Sequence, residues 1–268
     1  MKGVKMASKH SAKRYNESNS KQRKKKIINL RSLLMLVFIF ILIFSGIKIV
    51  KWIFGNKQNE EVQSNLSQYV EIKEDENNTQ DNSYKIDFKA LKEKNSDTIG
   101  WLKVNGTNIE YVVVKGNDND YYLSHNFEKQ NNSAGWIFAD YRNKFDYTDY
   151  NTVIYGHNMK NDSMFGTLKN VLSDEWYNNE ENRHIVLVTE RGTFTYEVFS
   201  VYEDKASDYP IQTGFSNDNE YLNFLNTIKD KSIKDFNVEL SAEKGILTLS
   251  TCGNDNKNRV ILHAIKEN

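Results

Sequence analysis

The longest apolar stretch of the chain runs without a charge from Ser32 to Ile47 (SLLMLVFIFILIFSGI) and continues through Lys48, Ile49, Val50, Lys51, Trp52 and Ile53 to Phe54. Counted from Leu33 to Phe54 it makes about 33 Å of helix at 1.5 Å per residue, enough to cross a bilayer core. This predicts one N-terminal transmembrane helix over residues 33–54. Residues 55–83 (GNKQNEEVQSNLSQYVEIKEDENNTQDNS) keep no sustained apolar period and read as a polar stalk. From Tyr84 onward the pattern is that of a folded domain, opening with a helical face of Ile86, Phe88, Leu91 and Ile99. Eight short β-type runs follow, separated by Asn, Asp and Gly clusters: Trp101–Val104, Ile109–Val114, Gly135–Ala139, Thr152–Tyr155, Ile185–Thr189, Thr193–Tyr202, Ile246–Thr251 and Arg259–Ile265. Helical spacing recurs over Asn219–Ile233, with Tyr221, Leu222, Leu225 and Ile228 on one side, and a smaller helix is expected at Met164–Leu172. The pattern therefore predicts a mainly β domain over 84–268, an eight-stranded barrel or sandwich with peripheral helices and no internal repeat.

Charge sharpens the outline. The chain carries 36 basic and 36 acidic residues, but 14 of the basic ones fall within residues 1–57 against the single acid Glu17, leaving 22 basic and 35 acidic residues in the remainder. The basic residues from Lys2 to Arg31 predict that residues 1–32 form a cytoplasmic tail, with everything after Phe54 outside. Lys48 and Lys51 suit the outer end of the span by snorkelling, and Trp52 suits the interface. A cleaved export signal is the alternative, but no small-x-small pattern closely follows the apolar run. An acidic main domain excludes nucleic acid as partner, since phosphate binding needs a basic face.

The only cysteine, Cys252, has no partner for an intrachain disulfide, so in an exported domain it is either an intermolecular bridge or a reactive group. In Ile-Leu-Thr-Leu-Ser-Thr-Cys-Gly, positions Leu247, Leu249 and Thr251 take one face of a strand and Thr248, Ser250 and Cys252 the other, so the cysteine ends a polar face. Arg259 opens the last strand seven residues later. A tight antiparallel connection returns its guanidinium towards Cys252, where a fixed fork of donors suits an oxyanion. A thiol needs a base or an ion-pair partner to attack, and a leaving amine needs an acid; histidine supplies both. Of the five histidines, His10 lies in the basic tail, His184 precedes an apolar strand, and His263 shares the strand of Arg259. His157 in Thr-Val-Ile-Tyr-Gly-His-Asn-Met stands at a strand end after a glycine, and His125 in a polar loop is the other candidate. No Cys or His cluster has metal-ligand spacing and no glycine-rich phosphate loop is present, so neither metal nor cofactor is expected. Asp140, Asp146 and Asp149 are loop carboxylates open to calcium, although such residues are usually just solvated.

The segments YGHNM and TLSTC, with an arginine seven residues after the cysteine, resemble the sortases, cysteine transpeptidases of Gram-positive cell envelopes. The resemblance covers roughly Tyr84 to Ile265. DTIGWLKVNGTNIEYVVV, NDYYLSHNF, GWIFAD and the helical insertion around Tyr221–Ile228 resemble the class B branch in particular. An N-terminal anchor without a C-terminal apolar tail agrees with that branch. The resemblance implies an eight-stranded sortase-type β-barrel and acyl transfer. Cys252 would attack the threonine carbonyl of a C-terminal sorting signal of NPxTx or SPxTG type and form a thioacyl enzyme. His157 would be the acid and base, and Arg259 the oxyanion and substrate donor. An amine of a peptidoglycan precursor would then join the surface protein to the wall. It further implies substrate contacts at Asn119, Leu123, Tyr209 and Ser250. Gly253 departs from the acidic residue that some class B members carry after the cysteine, which removes a substrate contact there. Two other readings keep the same residues: a cysteine peptidase that transfers to water, and a non-catalytic surface module in which Cys252 is inert.

Overall fold

The computed structural model describes residues 30–73, 83–146, 148–205, 211–252 and 258–267. Most of the expected cytoplasmic tail, together with Tyr209 and Gly253, lies outside them. The first helix, α1 (Leu30–Ser67), contains the apolar run, none of which is buried, and it is the one described helix long and apolar enough to cross a membrane. The stalk expectation needs correction: α1 continues through Ser67, and Asn56, Asn59, Val62 and Leu66 form a buried stripe along its last turns. Val62 and Leu66 join the core of the domain. Two of the four stripe residues are asparagines, which explains why the apolar periodicity is absent from the sequence. Beyond α1, β1 (Val70–Lys73) pairs antiparallel with β2 (Ser83–Ile86), a hairpin the polar composition conceals.

The short helix α2 (Phe88–Lys94) buries Phe88 and Leu91, and its first turn is capped by Asp87 Oδ1, which accepts from the amide of Ala90 at 3.0 Å. Ile86 and Ile99, expected on this helix, belong to the flanking strands.

Eight strands close into a barrel: β3 (Thr98–Val104), β4 (Glu110–Val114), β5 (Phe138–Ala139), β6 (Asn151–His157), β7 (His184–Thr189), β8 (Gly192–Lys205), β9 (Ile246–Cys252) and β10 (Asn258–Lys266). Around the barrel the order is β10-β8-β7-β3-β4-β5-β6-β9, with β9 returning to β10. Each falls on one of the eight runs read from the sequence, β5 being reduced to two residues. A closed sheet leaves no open edge. Its interior is filled by Leu102, Val113, Ile154, Leu187, Leu249 and Leu262, among others, all at most 2 % exposed.

Helix α3 (Asp174–Asn178) follows a 3-10 turn at Gly166–Leu172, where a small helix was expected. Helix α4 (Asp218–Asp230) lies in the long connection before β9. Its Asn217 cap accepts from the amide of Glu220, and its buried face is Tyr221, Leu225 and Ile228. The Tyr221 hydroxyl bonds the carbonyls of Tyr150 and Lys244, tying α4 to the starts of β6 and β9.

The consequential pairings are the two parallel ones, β4 with β5 and β6 with β9. Antiparallel neighbours put their C-terminal ends at opposite rims, whereas parallel neighbours share a rim. The pairing of β6 with β9 therefore carries the last residue of each strand to the same place.

Candidate active site

Those last residues are His157 and Cys252, which face each other in the β6/β9 register. On the other side of β9, Ser250 pairs with Ile261 of β10, and the same antiparallel register carried two residues further sets Arg259 opposite Cys252. Three adjacent strands thus place His157, Cys252 and Arg259 in one row at the rim. A second row runs one pleat below it, Tyr155–Ser250–Ile261–Tyr202 across β6, β9, β10 and β8.

Local chemistry fixes His157. Its Nε2 lies 2.8 Å from the carbonyl oxygen of Leu123. A carbonyl only accepts, so Nε2 carries a hydrogen and the ring exchanges its other proton at Nδ1. Leu123 ends a 3-10 turn, Tyr121–Leu123, which is clamped from behind: the amide of Trp136 donates to the carbonyl of Tyr122 at 3.0 Å. Gly135 makes that approach possible. Its φ is +59°, and a Cβ there would lie 2.3 Å from the Tyr122 carbonyl oxygen. Gly156 is equally constrained, since a Cβ would sit 2.4 Å from Ile137 Cδ1 and 2.7 Å from Phe165 Cγ. The glycine before the histidine lets β6 pass against these two side chains.

Arg259 is half-buried, and its Nε is buried without a hydrogen-bond partner among the described residues. Its cross-strand neighbour on β8, Asp204, instead holds Lys231 at 2.6 Å, an ion pair that keeps the Asp204 carboxyl below its ordinary range. Ser250, fully buried, likewise has an unpartnered Oγ. Buried polar groups left unpaired cost free energy, so two of them beside one strand end mark a place arranged for a ligand.

The other expected residues fall as follows. Asn119 stands before the 3-10 turn and spends its amide on the protein: Nδ2 donates to Asp140 at 2.9 Å, and Oδ1 accepts from the amide of Tyr141 at 3.0 Å. Leu123 contributes the carbonyl already described. His125 is half-buried, stacked on Tyr121 with ring centroids 4.1 Å apart, and its Nδ1 contacts the Tyr121 carbonyl. His184 pairs with Glu267 at 2.7 Å, where β7 begins and the chain nears its end. His263 is wholly buried, bonded to Thr248 Oγ1 (2.8 Å) and to the Tyr202 hydroxyl (3.1 Å). Burial, reinforced by Lys231, pushes its pKa down to about 3, so it is neutral.

What sequence reasoning missed is the role of Asp140, just past β5, which it read as a loop carboxylate open to calcium or solvated. Its carboxylate is fully buried and accepts five hydrogen bonds: from Arg142 Nε, Nη2 and N, from the Tyr155 hydroxyl, and from Asn119 Nδ2, at 2.7 to 3.0 Å. Burial opposes its charge, but these donors outweigh it and hold the carboxyl below the usual range. Asp149 accepts from the amides of Lys144 and Phe145, and Asp146 from Thr148. Among the described residues no three His, Cys, Asp or Glu side chains gather as a metal site would require.

Comparison with known proteins agrees with this fold. The sortase domain family profile matches residues 102–267. Sortase B of Listeria monocytogenes is 36% identical over 221 residues, 82% of this chain and 88% of that protein; sortase B of Staphylococcus aureus is 32% identical over the same shares. The crystal structure of sortase B from B. anthracis superposes with a TM-score of 0.70 at 34% identity, covering 80% of this chain and 98% of that one. Sortase B of Clostridium perfringens gives 0.64 at 40% identity, covering 67% and 99%. A sortase B–substrate complex from S. aureus gives 0.63 at 34% identity, covering 67% and 83%. Barrel, rim and kinship converge: the chain belongs to the sortase family, as a cysteine transpeptidase of the sortase B kind.

Proposed function

We propose that Cys252 is the nucleophile that cleaves a C-terminal sorting signal after its threonine and passes the acyl group to a cell-wall amine. The sulfur adds to the threonine carbonyl carbon as a thiolate, and the carbonyl oxygen takes the negative charge. The Arg259 guanidinium receives that oxyanion, a kind of stabilisation worth about 3 kcal/mol in a transition state. As the C–N bond breaks, His157 gives the proton at Nδ1 to the departing amine. The thioacyl enzyme remains. An amine of a peptidoglycan precursor then attacks, His157 takes back a proton, and the new amide leaves with Cys252 regenerated. Ser250, Leu123 and Asn119 border the path of the peptide, and Tyr209 completes the expected contact set. The substrates are surface proteins bearing a signal of NPxTx or SPxTG type.

The observation that carries this reading is the row formed by the parallel end of β6 and β9 and the return of β10. The unpartnered Arg259 Nε beside it supports the oxyanion role. The basic tail and the exposed apolar run of α1 support a single-pass anchor with the N-terminus in the cytoplasm and the barrel outside. The test is mass spectrometry of the full chain in detergent with NPxTx and SPxTG peptides, with and without an amine acceptor. A thioacyl adduct on Cys252, resolved into an amide when amine is present, is the expected result. Product that is only ever hydrolysed would replace the transpeptidase by a peptidase. Complete silence from a folded protein with a titratable thiol would leave a non-catalytic module.

A further inference from the structure

Asp140 is unusual among the buried groups because its five hydrogen bonds come from three residues, its near neighbour Arg142 with three, and Tyr155 and Asn119 from two other segments beside the proposed reacting row. Tyr155 sits at one end of the second row, two residues before His157, and gives its hydroxyl to Asp140 Oδ2 at 2.8 Å. Asn119 lies four residues before Leu123, the residue whose carbonyl holds His157, and donates to the same oxygen. Arg142 clamps both carboxylate oxygens, and its Nη1 reaches the carbonyl of Ile211 at 3.3 Å. Ile211 in turn packs on Tyr202 and Ile261, the far end of the second row. The Asp140–Arg142 pair therefore spans that row from Tyr155 to the segment covering Ile261, with Ser250 between them. Asp140 is fully buried while Arg142 is 39 % exposed, so the pair is anchored inside and reaches outward.

We propose that Asp140 is a positioning residue for acyl transfer: through Tyr155, Asn119 and Arg142 its carboxylate sets the spacing of the elements flanking the His157–Cys252–Arg259 row. A peptide laid along that row is thereby held with its carbonyl in line with Cys252. The inference rests on the proposed reaction at this row. Its physical basis is that only a charged carboxylate accepts all five donors at once. An amide of the same shape presents one acceptor oxygen and a nitrogen that repels the Arg142 fork. Displacement of about 1 Å at a reacting centre can cost roughly a hundredfold in rate, so a loosened wall is visible in kinetics even when the fold survives.

The experiment compares wild type, Asp140→Asn, Arg142→Lys and Tyr155→Phe in the full chain, each assayed well below its own melting midpoint. Two readouts are taken: peptide acylation kinetics, and alkylation of Cys252 by iodoacetamide, which needs no bound peptide. For Asp140→Asn we expect KM to rise about tenfold and kcat to fall a few-fold, while alkylation stays within about twofold of wild type. Arg142→Lys keeps the charge but loses the fork on Asp140 and the Nη1 contact with the Ile211 carbonyl, so it should raise KM more than it changes kcat. Tyr155→Phe should lower kcat without changing KM, because it frees only the strand that carries His157. Wild-type kinetics in a folded Asp140→Asn protein would overturn the proposal, as would a loss of acylation matched by an equal loss of alkylation. If wild type itself never acylates, the assignment of the reaction has failed instead, which the wild-type arm reports separately.

Discussion

The two rims of the barrel differ in what their polar groups are doing. The rim away from the row has a cleft of about 200 Å³, lined by Thr152, Tyr196, Ile246 and Lys266 among others. Yet its polar groups are largely employed: Asp149 holds two backbone amides, Lys244 Nζ donates to the Glu267 carbonyl, and the Lys266 ammonium sits 4.7 Å from the Phe194 ring centroid. At the other rim Ser250 Oγ and Arg259 Nε are buried without partners among the described residues. The contrast teaches that a cleft by itself does not mark a reacting site, and that unsatisfied polar groups at strand ends are the feature that sets the proposed one apart.

Several substitutions break or sharpen that contrast. The largest effect is expected for His157→Ala, which should lower the acylation rate by about a thousandfold with the fold intact, the range of general acid–base catalysis. His125→Ala should be mild in the same assay, and the opposite ranking would move the acid–base role. Arg259→Lys comes next, at roughly a hundredfold loss, because a point ammonium cannot reproduce the fork; near-normal turnover would remove the oxyanion role.

Stability separates the regions differently. A protein beginning at residue 84 loses the buried Val62 and Leu66, which should cost on the order of 3 kcal/mol, measured by urea unfolding against a protein beginning at residue 48. Equal stability would mean that the end of α1 is a stalk after all.

His263 gives a pH signature. Its folded pKa, about 3, lies below the unfolded value, so the unfolded chain binds more protons in between. The stability it contributes is fully present above about pH 6.5 and drains away as pH falls towards 3, by at most about 1.4 kcal/mol per pH unit. Replacing it with asparagine should flatten the difference between melting curves at pH 6.5 and pH 4.5. The smallest effect is expected at the far cleft, where Arg191→Ala should leave acylation within about twofold of wild type. A large loss there would show that this cleft takes part after all.

Much of this was legible because β-type runs separated by Asn and Gly clusters report strands directly, and all eight barrel strands fall on such runs. The row's residues were also legible as types: a cysteine ending a polar face, a histidine after a glycine at a strand end, an arginine opening the next strand. What the sequence could not express was pairing. Nothing in residues 151–157 says that they lie parallel to 246–252, and nothing in Asp-Tyr-Arg says that Asp140 gathers donors from Tyr155 and Asn119 as well as from Arg142. The end of α1 was missed because Asn56 and Asn59 occupy half of its buried stripe. The Asn59 amide packs by hydrogen bonding, to the Gly135 carbonyl and to Asn132, so hydropathy does not register it.

The parallel pairing of β6 with β9 also sets a timetable. His157 and Cys252 are about 95 residues apart in sequence, and β7, β8, α3 and α4 lie between them. Contacts of such long range form slowly, because much chain entropy is lost before they are rewarded. The two halves of the proposed centre therefore meet late, after the C-terminal strands have emerged and docked. A chain folded only as far as β8 carries His157 without Cys252, so the proposed row is complete only once β9 and β10 are in place.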